Sequence, residues 1–434
     1  MRDETSGLLF DVPLAPVRLE AGAELEHHVL RGHWWGPPEE RARLHETAVV
    51  LSSDEARRAH GRILCRSRAD LAALRARAPV DGPGLLPDVP TVLLVHALTG
   101  DARAGGPEGW WEPVVGPGRP IEPRRCRVLG FNNLGSCYGS SGPADEGFPR
   151  RSDDRRFPAP APIGKGAHAV PEDRLPATVT TWDQARSLLM ALSRLGVDRV
   201  HLAAGGSLGA QIVLAMAALA PTRIERALVI GAAVQASPWL IGWNHIMREL
   251  LLLDPGFPHD ARRGLALARE VGHMTYRAQA GLTLRHGRRH APDAEDETDG
   301  WSSRRAYRVQ TYLEHQGRKF LGRFDARSYL AQLDACDHHD LHRAPPWVAG
   351  EAARAPWGPA RITASLLGVD IDTDNLYPDG QMAALVDDLK ARGQIAAHAW
   401  LTSPHGHDAF LMEWDQVRAL AARAMALPAT HGKK

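Results

Sequence analysis

Residues 200–204 form a short apolar run of strand character that enters Gly205-Gly206-Ser207-Leu208-Gly209 without a spacer, and residues 210–219 continue as a helix. A strand delivered straight into a helix needs glycines beside the serine, because so sharp a turn leaves little room for side chains. Such a turn lifts the Ser207 hydroxyl clear of the strand ends. It also sets the Leu208 amide, at a helix N-terminus, where it can face a developing oxyanion. Residues 91–96, 127–131, 227–230, 362–367 and 398–401 read as further short buried strands, and the apolar spacing from Trp182 to Leu195 reads as a helix ended by Gly196. Strands alternating with helices predict an α/β chain with a mostly parallel, doubly wound sheet.

Residues 236–345 lack strand alternation and carry amphipathic helical pattern, so they are expected to form a helical cap inserted into a core of residues 1–235 and 346–434. Residues 40–90, rich in Arg and Ala, and the proline-dense 144–176 are expected to be surface insertions. The 52 basic and 51 acidic residues, formal net charge +1, are mixed along the chain and give no electrostatic footprint for nucleic acid or an anionic membrane. No apolar run approaches the ~18–20 residues of a membrane span. The N-terminus, with Asp3 and Glu4, lacks the basic start of an export signal.

Cys65, Cys126, Cys137 and Cys336 form no C-x-x-C pair, which fits a reducing cytoplasm and signals neither disulfides nor zinc. His27-His28 and Asp337-His338-His339-Asp340 lack metal-ligand spacing and are expected to be solvated surface groups, so no metal is assigned. The pairs Trp34-Trp35 and Trp110-Trp111 are expected to pack a core. No phosphate-binding glycine loop of kinase or dinucleotide type occurs, and no bound cofactor is expected.

A serine hydroxyl is a poor nucleophile near neutral pH. It needs a histidine to take its proton and a carboxylate to orient that histidine. Behind a turn of this kind the partners follow in the order acid, then histidine, each in a loop after a strand. Residues 362–367 lead to Asp370, Asp372 and Asp374, and residues 398–401 lead to His405 and His407. The order Ser, Asp, His is present, against the plainer reading of a solvated acidic loop and a turn.

These loops, together with His96-Ala97-Leu98-Thr99-Gly100-Asp101, Asn133-Leu134-Gly135-Ser136-Cys137-Tyr138-Gly139-Ser140 and Arg323-Phe324-Asp325, resemble the homoserine O-acetyltransferase family of the α/β-hydrolase superfamily across residues 90–425. The resemblance implies the α/β-hydrolase fold. It selects Asp374, which stands in the acid-x-Leu-aromatic-Pro pattern, and His407 rather than His405. It further implies that the Leu98 amide completes the oxyanion hole beside Leu208, that Arg248 binds a substrate carboxylate, and that Asp408 binds its amino group. The implied reaction is ping-pong: Ser207 takes an acetyl group from acetyl-CoA, a co-substrate, and passes it to the hydroxyl of L-homoserine, on the methionine route. A homodimer built through the cap helices is implied too. Serine as acceptor, succinyl as the transferred group, an esterase-like hydrolase and a catalytically dead binding fold are the alternatives.

Overall fold

The computed structural model describes residues 7–59, 61–80, 82–156, 170–291, 306–378 and 380–430. Among these, nine strands form the main sheet: β1 (Leu8–Pro13), β2 (Val29–Trp35), β3 (Val49–Val50), β4 (Thr91–Val95), β5 (Arg127–Phe131), β6 (Leu202–Gly206), β7 (Arg226–Ile230), β8 (Ser365–Ile371) and β9 (Ala396–Leu401). Their spatial order is β9-β8-β7-β6-β4-β5-β2-β1-β3. Neighbours from β9 to β5 run parallel, and the three pairings beyond β5 are antiparallel.

The inner strands β4, β5, β6 and β8 are buried on both faces, as in parallel sheets, whereas the edge strand β9 is half-exposed. Side chains alternate along β4: Leu93 and Val95 enter one apolar cluster, Val92 and Leu94 the other. Helices α1 (Thr181–Arg194) and α2 (Leu208–Leu219) feed the first cluster. A capping box starts α1, in which the Thr180 side chain accepts from the Asp183 amide and the Asp183 carboxylate accepts from the Thr180 amide.

Between β7 and β8 the described chain is helical: α3 (Pro238–Leu252), α4 (Arg262–Tyr276), α5 (Gln279–His286), α6 (Arg308–Leu321) and α7 (Ala326–Asp337). Met247, Leu251, Leu265, Phe320, Tyr329 and Leu333 give this insertion a core of its own, which also takes in Cys137 and Tyr138 from the loop after β5. After β8, α8 (Gln381–Ala391) joins the α1–α2 face, and α9 (Trp414–Met425) covers the opposite one. No helix among the described residues is long and apolar enough to cross a membrane.

Three sequence expectations change. Residues 40–90 are more organised than anticipated, forming the helices Glu40–Thr47, Ser53–Ala59 and Arg68–Arg77. The first of these is tied to the core, because buried Glu40 lies 2.7 Å from Arg127 of β5. The 40s-to-90s segment is also preceded by two strands that the sequence reading did not assign. In β2, Arg31 and His33 interrupt the apolar pattern yet are buried. Arg31 stands opposite Asp11 of β1 in the antiparallel register, with 2.6 Å between their charged groups. Finally, one histidine of each cluster is buried rather than solvated. His28 is buried, and buried His339 pairs with Thr181 Oγ1 at 2.8 Å and the Ala233 carbonyl at 3.0 Å. Residues 157–169 of the proline-dense stretch and 292–305 of the expected cap lie outside the described residues.

Candidate active site

Ser207 sits between β6 and α2 at φ 57°, ψ −129°, a backbone conformation that side chains with a Cβ rarely adopt. Holding it costs on the order of 1–3 kcal/mol, which the surrounding packing must supply. That packing is visible at the flanking glycines. A Cβ on Gly205 would lie 2.6 Å from the Gly209 backbone, one on Gly206 2.5 Å from the Phe410 ring, and one on Gly209 2.2 Å from the Val95 carbonyl. The Ser207 amide donates to the Ile230 carbonyl at 2.9 Å, clamping the turn to β7. Leu208 opens α2, so its amide is a first-turn N–H without an intrahelical acceptor.

Leu98 reaches the same place from β4. His96, at the end of that strand, fixes the loop: burial lowers its pKa to about 4, so the ring is neutral. Its Nε2 accepts from the Asn133 amide at 3.0 Å, and Nδ1 therefore donates to the Ala97 carbonyl at 2.7 Å.

Of the three aspartates at the end of β8 and just beyond it, only Asp374 meets His407. Asp374 Oδ2 lies 2.6 Å from His407 Nδ1, while Oδ1 accepts from the Leu376 and Tyr377 amides at 2.7 and 2.9 Å. Asp370 instead caps α8 through the Met382 and Ala383 amides, and Asp372 accepts from the Ser403 amide. Burial works against both charges of the Asp374–His407 pair. Their mutual attraction outweighs it, holding the carboxyl below and the imidazole above their ordinary values. The rings of Tyr377, Phe410 and Tyr276 lie 5.3, 5.8 and 6.2 Å from the imidazole.

Ser207, Leu98, His407 and Asp408 share the wall of a cavity of about 230 Å³ between the sheet loops and the helical insertion. From the insertion come Leu240, Asn244, Arg269, Tyr276, Arg323 and Cys336. His407 Nε2 is buried and closes no hydrogen bond with protein groups. Buried polar atoms without partners mark places where a ligand can complete the bonding. A serine raised beside a histidine whose far nitrogen is held by a carboxylate is equipped for acyl transfer.

The structure does not bring Arg248 to this wall. Its guanidinium lies 3.0 Å from Asp334 and 2.5 Å from Asp337, so two carboxylates already neutralise it. The arginines on the wall are Arg269 and Arg323. Arg269 was legible in principle, since it precedes Tyr276 by seven residues on α4 and so shares its face. Asp408 is on the wall and lies 3.2 Å from Arg277. Of the tryptophan pairs, Trp34, Trp35 and Trp111 are core, whereas Trp110 lines the cavity.

Residues 90–411 match the family model described as alpha/beta hydrolase fold. A homoserine O-acetyltransferase of Thermus thermophilus is 37% identical over 76% of this chain and 80% of its own length. The chain belongs to the homoserine O-acetyltransferase family. Within that family's surroundings, a homoserine O-succinyltransferase of Bordetella avium is 33% identical over 74% of this chain and 75% of its own. The solved homoserine O-acetyltransferase of Bacillus anthracis, at 16% identity, superposes with a TM-score of 0.68 over 98% of this chain and 99% of that one, a likeness of fold.

Proposed function

We propose that this protein transfers the acetyl group of acetyl-CoA to the hydroxyl of L-homoserine through an acetyl-Ser207 intermediate. The observation that carries the reading is the Asp374–His407 contact at 2.6 Å, with the free Nε2 of His407 buried in the cavity that Ser207 enters. His407 takes the Ser207 proton as the hydroxyl attacks the thioester carbon and returns it to the departing coenzyme A thiolate. It then takes the homoserine hydroxyl proton as that oxygen attacks the acetyl-enzyme, and gives it back to Ser207. The Leu98 and Leu208 amides stabilise the oxyanion formed at each addition. Tyr276, Phe410 and the insertion above keep water from the acetyl ester.

A zwitterionic acceptor fits the wall. Arg269 is assigned to its carboxylate, in place of Arg248, and Asp408 to its ammonium group. An ester substrate without charges would leave Arg269 on the wall without an anion to bind, which argues against an esterase. The relatives named for succinyl transfer support succinyl-CoA as a second donor. Release of O-acetylhomoserine would serve methionine synthesis, and use of coenzyme A fits a cytoplasm that keeps all four cysteines as free thiols. Trp239, Ile246, Leu253, Met274 and Leu284, exposed on or beside α3, α4 and α5, support a homodimer through this insertion. Light scattering should give twice the chain mass, and a monomer at micromolar concentration would refute the dimer.

The test is thiol release from acetyl-CoA and succinyl-CoA with homoserine, serine or no acceptor. Homoserine-dependent release with acetyl-CoA, falling by about 10⁶-fold in Ser207→Ala, is the expected result. Release without an acceptor would make the protein a hydrolase, and release in Ser207→Ala would remove the serine from the mechanism.

A further inference from the structure

The cavity holds more positive charge than an amino-acid acceptor can use. Its wall carries two guanidinium groups, Arg269 and Arg323, and one carboxylate, Asp408, which already lies 3.2 Å from Arg277. Among the described residues neither Arg269 nor Arg323 has a carboxylate within ion-pair distance, whereas buried Arg31, Arg127 and Arg151 each do. A half-buried guanidinium on a cavity wall without a paired carboxylate is placed to take an anionic ligand. One α-carboxylate occupies one of the two arginines. The other is left over.

Arg323 is held differently from Arg269. Arg269 leans on aromatic faces, 4.9 Å from the Phe320 ring and 5.8 Å from that of Tyr276. Arg323 donates through one terminal nitrogen to the carbonyl of Thr99, the residue after Leu98. Its Nε is buried without a partner. Asp101 stands near enough for the two charges to act on each other, but its carboxylate accepts from the Arg103 amide at 2.8 Å, and burial raises its pKa. The guanidinium is thus anchored on the Thr99 carbonyl, beside Leu98, with the Tyr138 hydroxyl also in reach, and its Nε is left for an anion.

We propose that Arg323 binds an anionic group of the acyl donor, either a phosphate of coenzyme A or the terminal carboxylate of a dicarboxylic acyl chain. The assignment rests on the acyl-transfer reading in naming the donor, and on charge and geometry in naming the site. Both candidate groups present oxygens that accept from a guanidinium fork, so the chemistry at Arg323 is the same.

The experiment compares wild type with Arg323→Gln and Arg323→Lys on acetyl-CoA, succinyl-CoA and the uncharged S-acetyl-N-acetylcysteamine. Calorimetric binding of coenzyme A and of succinate is measured beside it. A KM raised about tenfold or more in Arg323→Gln for both coenzyme A thioesters, with the uncharged thioester unchanged and Arg323→Lys intermediate, identifies a phosphate. The same loss confined to succinyl-CoA identifies the acyl carboxylate. Equal losses on all three thioesters would mean that Arg323 only holds the Thr99 loop, and no loss on any would mean that it holds nothing; either overturns the proposal. Binding separates this from the acyl-transfer reading. If wild type transfers no acyl group yet binds coenzyme A or succinate about tenfold tighter than Arg323→Gln, the anion site stands and the transfer reading falls; if wild type binds neither, the anion site falls.

Discussion

The Asp374–His407 pair shows how two buried groups settle each other's charge. Either alone would be pushed toward neutrality, and each favours the charged form of the other. For His407 the folded pKa lies above 6.5, so its pairing stabilises the fold fully below the unfolded value and that contribution is lost as pH rises through the folded value. For Asp374 the folded pKa lies below 3.8, so its contribution is present above the unfolded value and lost as pH falls through the folded one. The proposed mechanism needs the opposite state of His407, the neutral base. The acid limb of kcat/KM should therefore report an ionisation above 6.5. In Asp374→Asn the raising influence disappears while burial stays, so the limb should move to lower pH and kcat should fall by about 10⁴-fold. A pH–rate profile on both proteins checks this, and an unmoved limb would show that another group sets the pH dependence.

At the scale of elements, the β6–α2 turn depends on close approach of backbones. Gly209 begins α2 against the end of β4, and its missing Cβ is the space that the Val95 carbonyl occupies. Gly209→Ala should destabilise by about 1–3 kcal/mol or more, because backbone must move. Gly242, inside α3 with nothing within 4 Å of a built Cβ, is the control: Gly242→Ala should stabilise by about 0.5–1 kcal/mol through helix propensity. Urea midpoints decide, and equal shifts in the two variants would remove crowding as the cause. This turn was legible in sequence because its constraint is local, as were the inner parallel strands, whose burial on both faces leaves plain apolar runs. Legibility failed where polar groups are balanced from far away. Asp370 lies inside β8 because two α8 amides and His398 satisfy it, so the strand runs three residues past the 367 read from its apolar pattern and one more to Ile371. The Asp11–Arg31 pair hides β1 and β2 in the same way. Arg248 and Arg269 are alike in type and helical setting, and only Asp334 and Asp337 distinguish them.

Across the whole molecule, those same aspartates join parts that are distant in sequence. Asp334 of α7 pairs with Arg151, from the loop after β5, and with Arg248 of α3. Asp337 meets the same terminal nitrogen of Arg248 and accepts from Asn244 at 2.7 Å, and Asn244 and Cys336 stand on the cavity wall. The network thus runs from the core loop through two helices of the insertion to the place where substrate would sit. Burial works to raise the Asp334 pKa, yet Arg151 and Arg248 outweigh it and hold it below 3.8. The stabilisation is therefore present above the unfolded value and lost as pH falls through the folded one. Asp334→Ala would strand the buried guanidinium of Arg151 and leave Arg248 to Asp337 alone, and a cost of about 3–5 kcal/mol is expected at pH 7. Because the network ends at Asn244, the same variant should lose activity at urea concentrations where it remains folded, while Asp388→Ala, which breaks an exposed pair with Arg392, should change stability by less than about 1 kcal/mol. Parallel urea titrations followed by fluorescence and by turnover separate the two effects. Coincident loss of fold and activity in Asp334→Ala would mean that the network holds the molecule together without setting the wall, and a wild-type midpoint would mean that the buried charges contribute no net stability.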